Sequence, residues 1–225
     1  IIHHPDVRRM LLVQKATLAA QRALYMQAAA AIDTAHGHPN ADEAARAEAV
    51  LNFLIPIVKS WCTDNGTVLT NLAMQVYGGM GYVEETGAAQ YVRDVRITPI
   101  YEGANGIQAL DLIGRKTAAD GGAVARALLA DGQSVAAKLA SVDAELGAQL
   151  QQALALAEQS VADILAQMAS NPELAAAASN AYLNQMGCTL GAVALARAHL
   201  AAQDALADVA NAPLGEDFYQ TQQHV

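Results

Sequence analysis

Residues 71–116 read NLAMQVYGGMGYVEETGAAQYVRDVRITPIYEGANGIQALDLIGRK, and the breaks in this stretch show how the chain is built. Apolar residues recur at helical spacing up to a run of glycines at residues 78–81, and again on both sides of Thr98-Pro99. Glycines interrupt helices, and the residue before a proline is biased towards extended backbone. The stretch therefore predicts a helix that ends before the glycines, a shorter helix over residues 84–95, and another over residues 105–117.

Two further helices are predicted before residue 71. A helix is predicted from Pro5 to about Ala35, because proline suits the first turn and apolar residues then recur at near-helical spacing. The sequence HGHPN at residues 36–40 ends that helix. The next helix begins near Asp42, and Pro56 within it predicts a kink or a restart because proline has no backbone N–H.

Composition shifts after Gly121-Gly122, where the chain becomes rich in Ala, Leu and Gln. Helices are predicted over residues 146–168 and 172–207. Gly187 and Gly191 leave a smooth patch, against which we expect the backbone of another helix to pack. No titratable cluster points to separate chemistry in this region, so we expect it to serve packing and oligomerisation.

The amino-acid composition indicates the fold class. Hydrophobic residues make up 53% of the 225 residues but aromatic residues only 4%, and alanine, the strongest helix former, is abundant. Residues that favour sheets are sparse, which excludes a β-sandwich or a β-barrel. The sequence therefore predicts an all-α protein. The helix over residues 105–117 is expected to be buried through Ile107, Leu110, Leu112 and Ile113.

Charge and residue usage exclude several classes of function. The net charge of −9 leaves no basic face for a nucleic acid, and no apolar run is long enough for a membrane span. Cys62 and Cys188 lie far apart without the spacing of metal ligands, so we predict two buried thiols in a reducing cytoplasm. His36 and His38 have no third ligand at a suitable spacing, so no metal site is expected.

The glycine segment is the first candidate for chemistry. Three glycines in four positions follow a helix in Gln75-Val76-Tyr77-Gly78-Gly79-Met80-Gly81. Glycines allow a ligand to approach the backbone closely, and successive exposed N–H groups can form a nest for an anion. A plain turn between two helices is the alternative.

Glu102 is the second candidate. It follows the extended segment Pro99-Ile100-Tyr101 and precedes Gly103. A carboxylate flanked by apolar residues at the junction of a loop and a helix is a candidate general base if the fold buries it. A carboxylate that caps the following helix is the alternative.

The chain resembles the acyl-CoA dehydrogenases in three motifs that follow one another at the family's spacing. These motifs are Gln75 to Gly81, Arg93-Asp94 and Tyr101-Glu102-Gly103. The flavoenzymes of that family carry Gln-x-x-Gly-Gly-x-Gly, then Arg-Asp, then a Tyr-Glu-Gly whose glutamate is the catalytic base. Residues 1–11 and Trp61-Cys62-Thr63-Asp64 are similar to one branch, the 3-methylmercaptopropionyl-CoA dehydrogenase-like proteins, which carry an extra C-terminal helical region.

The resemblance implies an organisation and a reaction. Residues 1–120 would form the family's C-terminal domain, which is like a four-helix bundle, and residues 121–225 a helical extension. Glu102 would remove the α-proton of an acyl-CoA thioester while hydride passes to N5 of FAD, giving a 2-enoyl-CoA. An electron-transfer protein would be the acceptor.

The resemblance also implies an oligomer. Gln75, Gly78 and Gly79 would approach the FAD of a neighbouring subunit in a dimer or tetramer. The family commonly has Thr and Gln where this chain has Ala104 and Gly106, so a contact with FAD is not carried over to those two positions.

The family's N-terminal helical domain and β-barrel domain have no counterpart in these residues. We therefore expect the chain to be the C-terminal part of a dehydrogenase that is inactive without them. Two alternatives stay open. One is a helical oligomerisation module of the same fold that does no chemistry. The other is an acyl-CoA oxidase, which oxygen reactivity of the reduced flavin would distinguish.

Overall fold

The computed structural model describes residues 1–208 and 213–223, and every regular element in those ranges is helical. This confirms the all-α fold class. A 3-10 turn spans Glu84–Thr86, and a π-helical segment spans Leu112–Ala118. The α-helices are α1 (Pro5–Gly37), α2 (Ala41–Val76), α3 (Gly79–Tyr82), α4 (Ala88–Val95), α5 (Asn105–Asp111), α6 (Ala123–Ala140), α7 (Ala144–Ser170), α8 (Pro172–Ala207) and α9 (Glu216–Gln223).

Side-chain caps fix the start of three long helices. The Asn40 side chain accepts a hydrogen bond from Asp42 N at 2.8 Å where α2 begins. Asp143 and Asn171 do the same at the starts of α7 and α8. These caps satisfy backbone N–H groups that have no partner within the helix. The boundaries predicted for α1, α2 and α8 from proline and capping residues agree with the structure to within a few residues.

Pro56 does not restart α2, which runs unbroken from Ala41 to Val76. The proline ring is buried on the helix face that carries Ile57 and Trp61. Burial of this apolar ring offsets part of the cost of the missing N–H. The predicted restart is therefore wrong.

Two shorter predicted helices differ in detail. The helix predicted over residues 84–95 is a 3-10 turn followed by α4, because Gly87 takes a left-handed φ of 74° between them. The helix predicted over residues 105–117 is α5 continued by the π-helical segment. Ile107 and Leu110 are 58% and 43% exposed, so their predicted burial is wrong. The next two apolar residues, Leu112 and Ile113, are buried as expected.

One cluster of buried side chains runs through both halves of the chain. It joins α1, α2 and α5 to α6, α7 and α8, so residues beyond 121 share their core with residues before it. The division into domains at residue 120 stays a prediction. The largest fully buried members include Leu24, Phe53, Leu54, Ile57, Leu112, Ile113, Leu154, Leu183 and Met186.

None of the helices in the described ranges has the length and apolar character that a membrane span requires.

The glycines of α8 receive a side chain rather than the backbone of another helix. A Cβ atom at Gly187 would lie 2.4 Å from Cγ of Trp61, and one at Gly191 would lie 3.1 Å from the Trp61 ring and from Cβ of Ala20. At Gly187 an indole takes the place of the expected helix backbone, whereas at Gly191 helix α1 also approaches closely, through Cβ of Ala20. An indole from α2 fills the patch, and it joins α2 to the C-terminal half.

We expect Gly187→Ala to destabilise the protein, because the added methyl group overlaps the Trp61 ring in a packed core. Overpacking of this kind costs about 1–3 kcal/mol, so the midpoint of urea unfolding should fall. Gly37→Ala is the matched control, since a Cβ at Gly37 meets nothing within 4 Å. Equal midpoints for the two variants would contradict the packing described here.

Candidate functional site

The three glycines after α2 differ in backbone conformation and in surroundings. Gly78 has a φ of 63° and a ψ of −147°, a conformation that favours glycine. Gly81 is buried, and a Cβ there would lie 2.3 Å from the carbonyl oxygen of Met74. Gly79 has no positive φ, and a Cβ there meets nothing within 4 Å. The chain's own packing therefore explains Gly78 and Gly81 but not Gly79.

A groove of about 630 Å³ opens beside this turn. Gln75 and Gly78 both line it, whereas Gly79 does not. Gln75 is exposed, and its side-chain amide makes no hydrogen bond within the described part of the chain. The other lining residues, of mixed polarity, are Thr67, Val68, Asn71, Leu72, Met74 and Tyr82.

Glu102 has an unusual backbone conformation. Its φ is 52°, and among the described residues no other residue except glycine has a positive φ. An L-residue in the left-handed region costs about 1–2 kcal/mol, so the surrounding structure must hold it there. Strain of this kind is found preferentially at functional sites.

The Glu102 side chain is exposed, so the expectation of a buried carboxylate is wrong for this chain. Its carboxylate makes no hydrogen bond or ion pair within the described residues. The capping alternative is also wrong, because the N-cap of α5 is Ala104 and no side chain caps that helix. The carboxylate is therefore available to a group outside the described chain.

Lys59 anchors the loop that carries Glu102. Its Nζ donates to the carbonyl oxygen of Gly103 at 2.8 Å and to Oδ1 of Asn105 at 2.7 Å. Lys59 lies on α2, so a long helix holds the residue that follows Glu102. Hydrogen bonds from a charged donor are stronger than those between neutral groups.

Asn105 completes the anchor. Its Nδ2 lies 2.7 Å from Oδ1 of Asp64, 2.9 Å from Oγ1 of Thr63 and 3.2 Å from the carbonyl oxygen of Ser60. Its backbone N donates to the carbonyl oxygen of Pro99 at 3.0 Å, which closes the loop. Asn105 is 7% exposed, so these bonds are shielded from water.

Sequence reasoning missed both anchoring residues. In the sequence, Lys59 is one of several cations within predicted helices, and Asn105 is a polar residue at a predicted helix start, so neither residue stands out. The available signal was a lysine beside Val58 in an otherwise apolar stretch of the predicted helix. Its partner lies 46 positions away, so the pairing could not be read from local sequence.

A second groove, of about 420 Å³, lies between α2 and the loop. Asn105 and Ala104 line it, and it shares Thr67 and Val68 with the first groove. The structure therefore brings the glycine turn and the loop of Glu102 to neighbouring positions along one face of α2. Glu102 lines neither groove. Exposed apolar side chains surround the loop, namely Ile97, Ile100, Tyr101 and Ile107.

Arg93 of the Arg-Asp motif has a local role in this chain. Its guanidinium donates to both carboxylate oxygens of Glu84, at 3.0 and 2.8 Å, and to Gln90. Arg93 therefore fastens α4 to the 3-10 turn that follows the glycine segment.

Two titratable groups outside the grooves are shifted by burial. Burial raises the pKa of the Cys62 thiol to about 11. Burial also raises the pKa of Tyr182 to about 12, although its hydrogen bond with Thr117 acts in the opposite direction. Cys188 is exposed, so the prediction of a second buried thiol is wrong. The described residues contain no group of three or more His, Cys, Asp or Glu side chains able to hold a metal ion.

The chain matches two protein families end to end. Residues 1–117 match the family described as acyl-CoA dehydrogenase, C-terminal domain. Residues 117–225 match the family described as acetyl-CoA dehydrogenase C-terminal like.

Individual relatives agree with these matches. A 3-methylmercaptopropionyl-CoA dehydrogenase of Ruegeria pomeroyi is 44% identical over 175 residues, which cover 71% of this chain and 29% of the relative. A butyryl-CoA dehydrogenase of Syntrophomonas wolfei is 40% identical over 116 residues, which cover 52% of this chain and 19% of the relative. The chain thus spans less than a third of the length of these relatives.

Solved structures share the fold. Caenorhabditis elegans ACDH-11 in complex with C11-CoA superimposes with a TM-score of 0.70 at 16% identity, covering 99% of this chain and 36% of that one. The apo form of Bd2924 gives a TM-score of 0.59 at 20% identity, covering 86% of this chain and 34% of that one.

The two thiols should differ in reactivity. At pH 8 about one part in a thousand of Cys62 is thiolate if its pKa is about 11, and the thiolate is the form that alkylates. We expect iodoacetamide to label the exposed Cys188 quickly and Cys62 only after unfolding, as measured by peptide mass spectrometry. Labelling of Cys62 should speed up as pH rises towards 11. Equal labelling of both thiols at pH 8 in the folded protein would contradict this burial.

Proposed function

The chain belongs to the acyl-CoA dehydrogenase family, and we propose that it supplies the catalytic base and one wall of the flavin site of an FAD-dependent acyl-CoA dehydrogenase. The reaction is the α,β-dehydrogenation of an acyl-CoA thioester to a 2-enoyl-CoA. The names of the relatives from R. pomeroyi and S. wolfei support this reaction class.

The observation that carries the proposal is the state of Glu102. Its carboxylate is exposed and unpaired within the described residues, while its backbone is held in a strained conformation. A strained, anchored residue with a free carboxylate suits a base that must meet a substrate from outside this chain. Glu102 also occupies the position of the catalytic glutamate in the Tyr-Glu-Gly motif that the chain shares with the family.

In this proposal Glu102 accepts the proton from the α-carbon of the thioester. That proton is weakly acidic, so the carboxylate must lie close to the carbon and water must be kept away. Exposed apolar side chains beside Glu102 provide the second condition, because Ile100 and Tyr101 directly precede it on the same loop. Covering them with substrate or with the rest of the enzyme excludes water from the carboxylate.

Residues in the first groove and beside it suit a flavin. Gln75, which lines the groove, offers an amide with no other partner in the described chain. Gly79, next to the groove on the same turn, exposes backbone where a Cβ atom would meet nothing within 4 Å. We therefore propose Gln75, Gly78 and Gly79 as the residues that hold part of FAD. Bound FAD supplies the oxidising group of the reaction.

We further propose a homo-oligomer, a dimer or a tetramer, in which the flavin lies between subunits. Exposed apolar residues recur on every seventh position of α1, at Leu11, Leu18, Tyr25 and Ile32, as in helices that pack against other helices. An acyl-CoA substrate, an electron-transfer protein as acceptor and a cytoplasmic location complete the proposal. The complex of ACDH-11 with C11-CoA supports the substrate class.

We expect Glu102→Gln to leave FAD bound and to abolish its reduction by acyl-CoA. The amide keeps the shape of the side chain but accepts no proton, which removes general-base catalysis worth at least about 10²-fold. The measurement is loss of flavin absorbance in the holoenzyme after anaerobic addition of a saturated acyl-CoA.

Glu48→Gln is the matched control, since Glu48 is an exposed glutamate of α2 outside both grooves. It should bleach the flavin at the normal rate. Reduction of the Glu102→Gln enzyme at a near-normal rate would show that Glu102 is not the base.

We expect Gly79→Leu to weaken flavin binding while leaving the fold intact. A Cβ atom at Gly79 meets nothing within 4 Å in the chain, so we expect the added side chain to act mainly on whatever approaches this turn from outside. Loss of one close contact should raise the dissociation constant for FAD by about tenfold, equivalent to about 1.4 kcal/mol. Fluorescence titration of the apoenzyme with FAD measures it, with Gly37→Leu as control. Unchanged affinity together with unchanged thermal stability would remove Gly79 from the flavin site.

A further inference from the structure

We propose that Lys59 and Asn105 are positioning residues that set the orientation of Glu102, an inference that rests on the proposed function of that carboxylate. Both act on the backbone that follows Glu102 rather than on its side chain. Lys59 Nζ holds the carbonyl oxygen of Gly103 at 2.8 Å, one residue beyond the base. The carboxylate is left free.

The anchor connects the base to a rigid element. Lys59 and Asp64 belong to α2, which is continuous over 36 residues. Asn105 is the first residue of α5, and its backbone N closes the loop on Pro99 at 3.0 Å. The segment from Pro99 to Asn105 is therefore fixed at both ends, and Glu102 lies within it.

The amide side chain of Asn105 suits its place between the two charges. The Oδ1 atom of Asn105 accepts from the Lys59 ammonium at 2.7 Å, and its Nδ2 donates to the Asp64 carboxylate at 2.7 Å. An aspartate in its place would set a second carboxylate against Asp64, and an alanine would offer neither donor nor acceptor. Because Asn105 is nearly fully buried, water cannot readily replace either bond.

The need for an anchor follows from the conformation of Glu102. A left-handed glutamate is unfavourable on its own, so a loosened loop would return to ordinary backbone conformations and turn the carboxylate away. Lys59 lines neither groove, so its loss should change the direction of the base without removing a ligand contact. A misplaced catalytic group loses rate rather than affinity for substrate.

The test is Lys59→Met in the holoenzyme, with Lys138→Met as the matched control, because Lys138 is exposed on α6 and remote in sequence from the loop. We expect flavin reduction by a saturated acyl-CoA to slow by about 10- to 100-fold. Flavin content and the dissociation constant for acyl-CoA should stay within about twofold of the wild type. Lys59→Arg, which retains a charged donor, should recover part of the rate.

Hydrogen exchange gives a second readout that does not depend on activity. Backbone amides of residues 99–105 should exchange faster in Lys59→Met, while those of α6 are unchanged. Asn105→Asp, which keeps the side-chain shape, should give the same two effects if Lys59→Met does not fold. A normal reduction rate with normal exchange in a folded variant would overturn the proposal. A fall in the rate of flavin reduction that is fully explained by an equal fall in bound flavin would also overturn the proposal.

Failure of the positioning role of Lys59 can be distinguished from failure of the proposed function of Glu102. If Glu102→Gln abolishes reduction and Lys59→Met leaves it unchanged, Glu102 is the base but Lys59 does not position it. If Glu102→Gln reduces its flavin normally, the proposed function itself is wrong.

Discussion

The contact between the Trp61 ring and Gly187 leaves no room for a methyl group, and the arrangement of the two halves of the chain depends on it. Trp61 lies on α2 and Gly187 on α8, so a close approach fixes the helix of the candidate site against the C-terminal half. The indole Nε1 of Trp61 and Oγ of the preceding Ser60 are buried without a hydrogen-bond partner among the described residues. A buried unpaired polar group costs about 1–3 kcal/mol, so close packing is favoured over polar satisfaction at this point.

The same short part of α2 also holds the loop that carries Glu102. Lys59 and Asp64 bind Asn105, while Trp61 between them packs on α8. From Asn105, α5 runs into the π-helical segment, whose buried Thr117 is hydrogen-bonded to the Tyr182 hydroxyl of α8 at 3.2 Å. The element that begins beside Glu102 is therefore held at its start by α2 and at its far end by α8 of the C-terminal half. The region beyond residue 121 therefore packs directly against the helices that carry the candidate site.

Sequence reasoning could predict the fold because helix signals are local. Proline, capping residues and apolar spacing placed α1, α2 and α8, and the motif placed Glu102 beside a helix start. The burial of each face depends on distant partners. Ile107 has the same apolar character as Ile113, yet only Ile113 meets the shared core. The left-handed φ of Glu102 and its anchoring by Lys59 could not be predicted from the sequence either, because the anchoring contact joins residues 44 positions apart.

We propose that the Glu102 carboxylate, carried on an anchored and strained loop, meets the α-carbon of an acyl-CoA thioester. A crystal structure of the holoenzyme with a non-reactive acyl-CoA analogue would test this contact. We expect a carboxylate oxygen of Glu102 within about 3–3.5 Å of the α-carbon, the separation of a near-attack arrangement, with the Lys59 contact to Gly103 retained. A bound analogue whose α-carbon lies against another acidic residue, with Glu102 still facing solvent, would contradict it.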